Sequence, residues 1–210
     1  MDQIALPLAW PVADSDEDFL ISPANRSAFE HLRRHSTWPV RACLLTGPRK
    51  SGRSLLGRIF ARNTGGRLFD DAERHEEERL FHAWNDAQQS RRPLLIIADR
   101  PAPQWEVALP DLRSRLAATP HVGIEAPDDM LLNQLLLKLL GDRGIAAPPE
   151  LADYLVPRIE RSYVTVQLVV DLLDQAVLSH HRRMTVPLAK RVLTEAGIIN
   201  RARSRNAVNG

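Results

Sequence analysis

The amino-acid sequence predicts an α/β domain with a parallel sheet, followed by a smaller domain made only of helices. Apolar runs such as 42–45 and 93–98 are bounded by polar and turn residues, as in strands buried on both faces of a parallel sheet. Helical patterns separate these runs, and after residue 128 only helical periodicity remains. The predicted segments are an extended N-terminal stretch, the α/β domain, the helical domain and a disordered tail, at residues 1–18, 19–126, 127–199 and 200–210.

The individual elements follow from apolar spacing and turn residues. Apolar residues at i, i+3 and i+4 predict helices, short apolar runs predict strands, and glycine or proline marks the ends. In chain order we predict a helix at 26–34, a strand at 42–45, a helix from 55, a strand at 68–69, a helix at 76–89 and strands at 93–99 and 122–125. The helical domain is predicted to contain helices at 131–140, 149–161, 165–181 and from 185 onward, the last with a threonine cap and a proline in its first turn.

The loop after the first strand carries the strongest chemical signal. The stretch Gly47-Pro48-Arg49-Lys50-Ser51-Gly52-Arg53-Ser54 leads into a helical stripe that begins at Leu55. It has the spacing G-x-x-x-x-G-K-[ST], except that arginine stands at the lysine position. Backbone N–H groups in such a loop, together with the helix dipole, bind phosphate. The sequence therefore predicts a phosphate site with Ser54 as a magnesium ligand; the alternative is a strand-to-helix turn without a ligand.

Arginine at position 53 changes the expected chemistry. Arginine keeps the positive charge of lysine, but it is bulkier and binds as a planar fork rather than as a point charge. We therefore expect Arg53 to support phosphate binding and to make efficient hydrolysis less favourable.

Two adjacent carboxylates follow the next predicted strand. Asp70 and Asp71 come directly after Leu68 and Phe69. At a strand tip near a phosphate loop, one carboxylate can hold a metal ion and the other can polarise an attacking water. The alternative is an ordinary acidic surface turn.

Composition excludes several classes of protein. The chain of 210 residues has a net charge of +2, which is too small to indicate nucleic-acid binding by itself. A single cysteine, Cys43, excludes an intrachain disulfide and favours a reducing compartment. We find no run long and apolar enough to span a membrane and no signal-peptide pattern, so we expect a cytoplasmic protein.

The N-terminal stretch Gln3-Ile4-Ala5-Leu6-Pro7-Leu8 is apolar and cannot form a helix through Pro7. An exposed apolar peptide at a terminus is a liability unless something binds it. Two interpretations stay open at this point, a binding peptide and a strand that packs on the body of the protein.

The order of these motifs resembles that of the AAA+ core of the bacterial replication initiator DnaA and, within that group, the Hda family of small DnaA homologues that inactivate the initiator. The segments that carry the resemblance are Phe19 to Asn25, the phosphate loop, Asp70-Asp71, Phe81-His82 to Asn85, and Asp111-Leu112-Arg113-Ser114-Arg115. The N-terminal stretch is similar to the Q-x-x-L-P-L peptide of that family. The resemblance extends from Gln3 to about Ala196, and we expect no DNA-binding domain after the helical one.

The resemblance implies roles for individual residues. The cofactor is then ADP or ATP with Mg²⁺, and Phe19, Leu20 and Asn25 lie near the adenine. Asp70 is the metal-binding acid beside the catalytic Asp71, and Ala98 and Asp99 occupy the position called sensor 1. Arg115 is the arginine finger that reaches a neighbouring subunit's nucleotide; from sequence alone Arg113 and Arg115 could equally solvate a loop. Gln3, Leu6 and Leu8 bind the sliding clamp of DNA polymerase, its beta subunit.

The resemblance also implies partners and a function. The chain would dock on the sliding clamp, meet DNA only through that clamp, and stimulate ATP hydrolysis by DnaA, with a homodimer as one possible state and no membrane contact. Two alternatives stay open: a self-sufficient AAA+ ATPase or clamp-loader-like motor, and an adaptor that uses the fold only as a scaffold.

Four departures from the family pattern argue against turnover by the chain itself. Arg53 replaces the lysine of the phosphate loop, and Ala98 stands where a small polar residue is usual. The sensor 2 arginine of the helical lid is replaced by Gln167 or Thr165. Between Ala61 and Leu68 the chain is too short for the strand and helix that the family places there, so we predict a sheet that lacks this edge strand.

Overall fold

The computed structural model describes residues 19–101, 104–180 and 183–199. The predicted clamp-binding residues Gln3, Leu6 and Leu8, and the predicted tail, lie outside the described residues. None of the helices in the described ranges is both long and apolar enough to cross a membrane.

Strands and helices alternate up to residue 123, and in the described residues beyond it the regular elements are helices. The elements are α1 (Pro23–Arg33), β1 (Ala42–Thr46), α2 (Arg53–Thr64), β2 (Arg67–Phe69), α3 (Glu77–Ser90), β3 (Leu94–Ile97), α4 (Pro110–Ala117), β4 (His121–Gly123), α5 (Asp129–Asp142), α6 (Glu150–Leu155), α7 (Tyr163–His180) and α8 (Val186–Glu195). The predicted α/β class and the four-helix lid are confirmed. Below, residues 19–126 are called the base and residues 127–199 the lid.

The base is built on a parallel sheet with the strand order β2-β3-β1-β4. Successive side chains of a strand point to opposite faces, so each strand feeds two cores. Cys43 and Leu45 pack under α1 and α2, whereas Ala42 and Leu44 pack against α3 and α4. Because β1 lies between β3 and β4, the loop that follows it opens at the centre of the sheet's carboxyl edge, where ligands of open α/β sheets bind.

Burial explains why the single cysteine is inert. Cys43 is a free thiol that is fully buried in β1. Desolvation raises the pKa of the Cys43 thiol to about 12, so it remains protonated and behaves as a small apolar side chain.

The missing edge strand is confirmed. Helix α2 continues through Thr64, Gly65 ends it in the left-handed conformation at φ +64°, and β2 begins two residues later. The new edge is protected in two ways, because β2 is only three residues long and Arg67 pairs with Asp86 at 3.1 Å. Short length and charge are how natural sheets avoid pairing at an edge.

The predicted helix at 149–161 is wrong in length. Helix α6 ends at Leu155, and residues Val156–Arg158 tighten into a 3₁₀ turn. Pro157 causes this, because it lacks an N–H and its ring clashes with the carbonyl one turn earlier. The chain then extends at Ile159 before α7 begins.

The lid has its own apolar core. Leu132, Leu136 and Leu140 of α5 are completely buried. They pack against α7, on which Val166, Val169, Val170 and Leu173 are buried and Val177 is partly buried. The lid therefore has an apolar core of its own, separate from the two cores of the sheet.

We expect Leu136→Ala to destabilise the lid by about 2–5 kcal/mol, because truncating a fully buried leucine removes apolar contacts and leaves a cavity. Urea unfolding followed by circular dichroism measures the loss. Leu178→Ala is the matched control, since Leu178 is 65% exposed on α7 and should change stability by less than about 0.5 kcal/mol. Equal effects of the two substitutions would contradict this packing.

Candidate functional site

The phosphate loop, residues 47–54, folds as a tight glycine-dependent turn. Gly47 has φ +154°, and a Cβ there would lie 2.9 Å from the carbonyl oxygen of Ile124. Gly52, at φ +88°, is the N-cap of α2. The hydroxyl of Ser51 is buried without a hydrogen-bond partner among the described residues. Such an orphaned donor at a helix N-terminus fits an anion that the loop would bind.

The loop forms one wall of a cavity of about 380 Å³ between the base and the lid. This volume lies within the range of small-ligand sites. Its base lining consists of Phe19, Leu20, Asn25, Lys50, Ser51, Gly52, Arg53, Ser54 and Leu55, and its lid lining of Leu131, Leu135, Lys138, Leu139, Asp142, Tyr163 and Gln167. All the predicted nucleotide residues are thus brought together except Gly47, Pro48 and Arg49. Pro48 and Arg49 lie exposed at the tip of the loop.

The segment before α1 is fixed by a capping box. The Ser22 hydroxyl accepts a hydrogen bond from the Ala24 N–H, and the side-chain oxygen Oδ1 of Asn25 accepts one from the Ser22 N–H at 2.8 Å. This cap is why α1 begins at Pro23, three residues before its predicted start. The Asn25 amide group also donates to the Leu20 carbonyl at 2.8 Å. Asn25 therefore lines the cavity chiefly by shaping the 19–22 segment.

Arg53 is bound inside the protein. Arg53 as a whole is only 9% exposed. Its guanidinium donates hydrogen bonds to the backbone carbonyl of Ala98 and to the carboxylate of Asp99, each at 2.6 Å. Both partners follow β3, which lies beside β1 in the sheet and so ends next to the phosphate loop. The hydrogen bond from Arg53 holds the pKa of the Asp99 carboxyl below its ordinary value.

The segment that follows β3 is also anchored by Glu73, which follows β2. The Glu73 carboxylate accepts hydrogen bonds from the backbone N–H of Asp99 at 2.5 Å and of Arg100 at 3.3 Å. Glu73 follows β2 in a short 3₁₀ turn. Three loops at the carboxyl edge of the sheet are thereby joined through Asp99.

The two predicted catalytic carboxylates stand apart from the cavity. Neither Asp70 nor Asp71 lines it. The Asp70 side chain accepts the Asp71 N–H at 3.1 Å, and the ring of His75 donates to the Asp70 carbonyl at 2.9 Å. Within the described ranges, no three His, Cys, Asp or Glu side chains form a group that could hold a metal ion. Of the predicted magnesium pair, only Ser54 faces the cavity.

Arg115 is held by aromatic side chains. Its guanidinium carbon lies 4.8 Å from the ring centre of Phe81 and 4.7 Å from that of Trp84, both on α3. The Trp84 indole donates to Thr119, whose hydroxyl donates to the Arg115 carbonyl. Arg115 is half-buried and makes no ion pair with any described residue, and its Nε is buried without a hydrogen-bond partner there.

Arg113 differs from Arg115 although the two lie on the same short helix. Arg113 is exposed, and its guanidinium donates twice to the carbonyl of Val107, at 3.0 and 2.6 Å. Arg113 therefore stabilises the loop before α4, whereas Arg115 stacks on aromatic rings and pairs with no carboxylate of the described residues.

Most of the lid residues that line the cavity were not predicted from the sequence. Helix α5 carries leucines on two faces: Leu132 and Leu136 enter the lid core, whereas Leu131 and Leu135 face the cavity. A helix that is apolar nearly all round is buried on more than one side. This feature of the α5 sequence could have predicted that the helix has a second buried face. Lys138 also lines the cavity and pairs with Asp142 at 2.8 Å.

Of the two residues predicted to replace the sensor 2 arginine, one lines the cavity. Gln167 faces the cavity, whereas the Thr165 hydroxyl shares a hydrogen bond of 2.9 Å with Ser162 at the start of α7. Tyr163 closes this corner by donating to the Glu125 carbonyl at 3.2 Å. Burial, followed by the charge of Asp128, raises the pKa of Tyr163 to about 12, so the phenol keeps its proton for this bond.

The fold is similar to that of DnaA and of RuvB. Domain III of the Thermotoga maritima replication initiation protein DnaA matches with a TM-score of 0.73 and 15% identity over 88% of this chain and 96% of that one. AMPPCP-bound DnaA from Aquifex aeolicus matches with a TM-score of 0.59 and 16% identity, over 79% of this chain and 67% of that one. The Thermotoga maritima RuvB Holliday junction branch migration motor matches with a TM-score of 0.64 and 13% identity, over 87% and 72% of the two chains.

Residues 132–193 match the protein family described as Hda, lid domain. The lid of this chain is therefore similar to the lid of Hda. The matched residues run from α5 to α8 and include the cavity-lining Lys138 and Gln167. The part of the chain that carries this similarity is also one wall of the candidate site.

Proposed function

We propose that this Hda-like protein regulates the initiation of chromosomal replication. In this proposal it binds an adenine nucleotide between base and lid, docks on the sliding clamp through its N-terminal peptide, and uses Arg115 to stimulate ATP hydrolysis by DnaA. The observation that carries the proposal is the cavity shared by a phosphate loop and an Hda-type lid. DNA would be reached only through the clamp, and a homodimer is compatible with the proposal.

The residues around the cavity fit an adenine nucleotide. The loop amides and Lys50 would hold its phosphates, and the orphaned Ser51 hydroxyl would donate to one of them. Phe19 and the lid leucines supply the apolar surface that a base and sugar need. A bound Mg²⁺ would neutralise phosphate charge, with Ser54 as its protein ligand in this cavity.

The same geometry supports binding with little turnover. The carboxylates of Asp70 and Asp71 lie outside the cavity, Ala98 offers no polar side chain, and Gln167 faces the cavity where the family has an arginine. Hydrolysis depends on a positioned water and on charge that stabilises the transferring phosphoryl group. The chain therefore serves as a partner in hydrolysis, and its own nucleotide orders the base against the lid.

We expect millimolar ADP with magnesium to raise the melting temperature, because a ligand that binds only the native state stabilises it by mass action. At about 100 times the dissociation constant the gain is about 2.7 kcal/mol. Differential scanning fluorimetry measures the shift. Adenosine, which lacks phosphates, is the control, because it shows how much of the stabilisation comes from phosphate binding by the loop. An unchanged melting temperature up to millimolar ADP would contradict nucleotide binding.

A second candidate is an adaptor that keeps the fold only as a scaffold. The observation that favours it is the position of Arg53, whose charge is already matched by Asp99. Under that proposal the clamp and DnaA contacts persist, while ADP leaves the melting temperature unchanged. The same titration therefore separates the two candidates.

A further inference from the structure

Arg53, which lines the cavity, contacts Asp99, which does not line it. Arg53 opens α2, directly after the glycine that caps it, at the position that supplies positive charge to a phosphate in loops of this kind. Its guanidinium instead donates to the Asp99 carboxylate at 2.6 Å, within a site where its side chain is only 10% exposed. The Ala98 carbonyl takes a second hydrogen bond, so both contacts come from one segment.

The carboxylate resembles a phosphate in what it offers a guanidinium. Both groups are anionic acceptors that bind arginine through short charge-assisted hydrogen bonds. A guanidinium that is committed to one of them has less positive potential for the other. A carboxylate beside the loop also repels an incoming phosphate directly.

Asp99 is placed so that it can release the arginine. Its backbone is fixed by the Glu73 carboxylate, but its side chain is 60% exposed and can turn toward water. The Arg53 side chain lacks that freedom, because it is only 10% exposed. The exchange therefore requires rotation of the Asp99 side chain and no movement of a helix or strand.

We propose that Asp99 is a resident anion of the phosphate loop, which competes with nucleotide phosphate for Arg53 and so sets the affinity of the site. This inference rests on the proposed nucleotide binding and adds the residue that limits it. When phosphate takes the guanidinium, Asp99 loses its partner, and the loops that follow β2 and β3 lose one tie to α2. Occupancy of the cavity is thus coupled to the carboxyl edge of the sheet.

The test is calorimetric titration of ADP with magnesium into the full chain and its Asp99 variants. Asp99→Asn and Asp99→Ala remove the competing charge and should tighten ADP binding by about tenfold or more. Asp99→Glu keeps the charge and should bind as weakly as the parent chain. The melting temperature of each variant without ligand establishes that it is folded.

Asp86→Asn is the matched control for charge. Asp86 also pairs with an arginine, Arg67 at 3.1 Å, but at the exposed edge of the sheet and away from the cavity. The Asp86→Asn substitution makes the same change in net charge as Asp99→Asn and should leave ADP affinity unchanged. Tighter binding by this control would assign the effect to net charge and overturn the role of Asp99.

Two further outcomes separate this inference from the proposed function. If the parent chain binds ADP and both neutral variants bind it equally or more weakly, Asp99 orients Arg53 and does not compete; the inference fails and nucleotide binding stands. If neither the parent chain nor any folded Asp99 variant binds ADP, competition is not what limits the site, and both claims fail.

Discussion

Arg115→Ala should abolish the stimulation of DnaA's ATP hydrolysis while the protein stays folded and still binds ADP and the clamp. An arginine finger neutralises the charge that develops on a transferring phosphoryl group, and its loss lowers turnover by roughly 10³–10⁵. The measurement is phosphate release by DnaA in a reconstituted reaction that contains the loaded clamp and DNA. Full stimulation by the Arg115→Ala variant would remove the central claim of the proposed function.

The structure explains why the fold should survive this substitution. Arg115 is half-buried, and its removal costs the two cation–π contacts with Phe81 and Trp84. Such contacts contribute about 0.5–1 kcal/mol each at accessible sites. The thermal transition without ligand should therefore fall by only a few degrees.

Arg113→Ala is the matched control for Arg115→Ala. It removes the same charge from the same helix, two residues away, but its guanidinium is already bound to the Val107 carbonyl. We expect it to retain most of the stimulation. Equal losses from the two substitutions would indicate a general electrostatic attraction to DnaA and no finger.

The stack of Arg115 on aromatic rings also makes lysine a poor replacement. A guanidinium lies flat on an aromatic face and can still donate from its edge, whereas an ammonium lacks this planar fork. Arg115→Lys should therefore keep the charge and lose most of the stimulation. Because Arg115→Lys keeps the charge, a loss close to that of Arg115→Ala would assign the effect to the geometry of the guanidinium, whereas retained stimulation would assign it to charge.

Most of the fold was predictable from local signals. The continuous apolar runs at 42–45 and 94–97 predicted the two central strands, and the short connection before Leu68 predicted the missing edge strand. These signals suffice because strands buried on both faces leave little choice of residue. The helix at α6 was predicted too long, because the effect of Pro157 on its last turn was overlooked.

The contacts that matter most in the site were beyond sequence reasoning. Arg53 meets Asp99 46 positions later in the chain, and only the neighbouring placement of β1 and β3 brings them together. Leu131 and Leu132 are adjacent in sequence, yet one faces the cavity and the other the lid core. Such choices depend on how elements pack, which local patterns do not specify.

Replacing Gln3, Leu6 and Leu8 together by alanine should abolish binding to the sliding clamp. The proposed peptide would bury both leucines in an apolar cleft, and each fully buried leucine is worth roughly 1.5–3 kcal/mol. Losing two such side chains weakens binding by roughly 10²–10⁴-fold, before the hydrogen bonds of Gln3 are counted. Surface plasmon resonance with immobilised clamp measures the loss.

The melting temperature decides between the two interpretations of this peptide. A peptide that serves only the clamp can be altered without cost to the folded body, so the triple variant should melt with the parent chain. Substituting Asp14, Asp16 and Asp18 by alanine makes as many changes in the same segment outside the motif, and should leave clamp affinity within a few fold. Clamp binding by the Gln3, Leu6 and Leu8 variant at parental affinity would exclude the clamp peptide. A lowered melting temperature with unchanged clamp binding would instead show that the stretch packs on the body, because buried leucines stabilise whichever surface covers them.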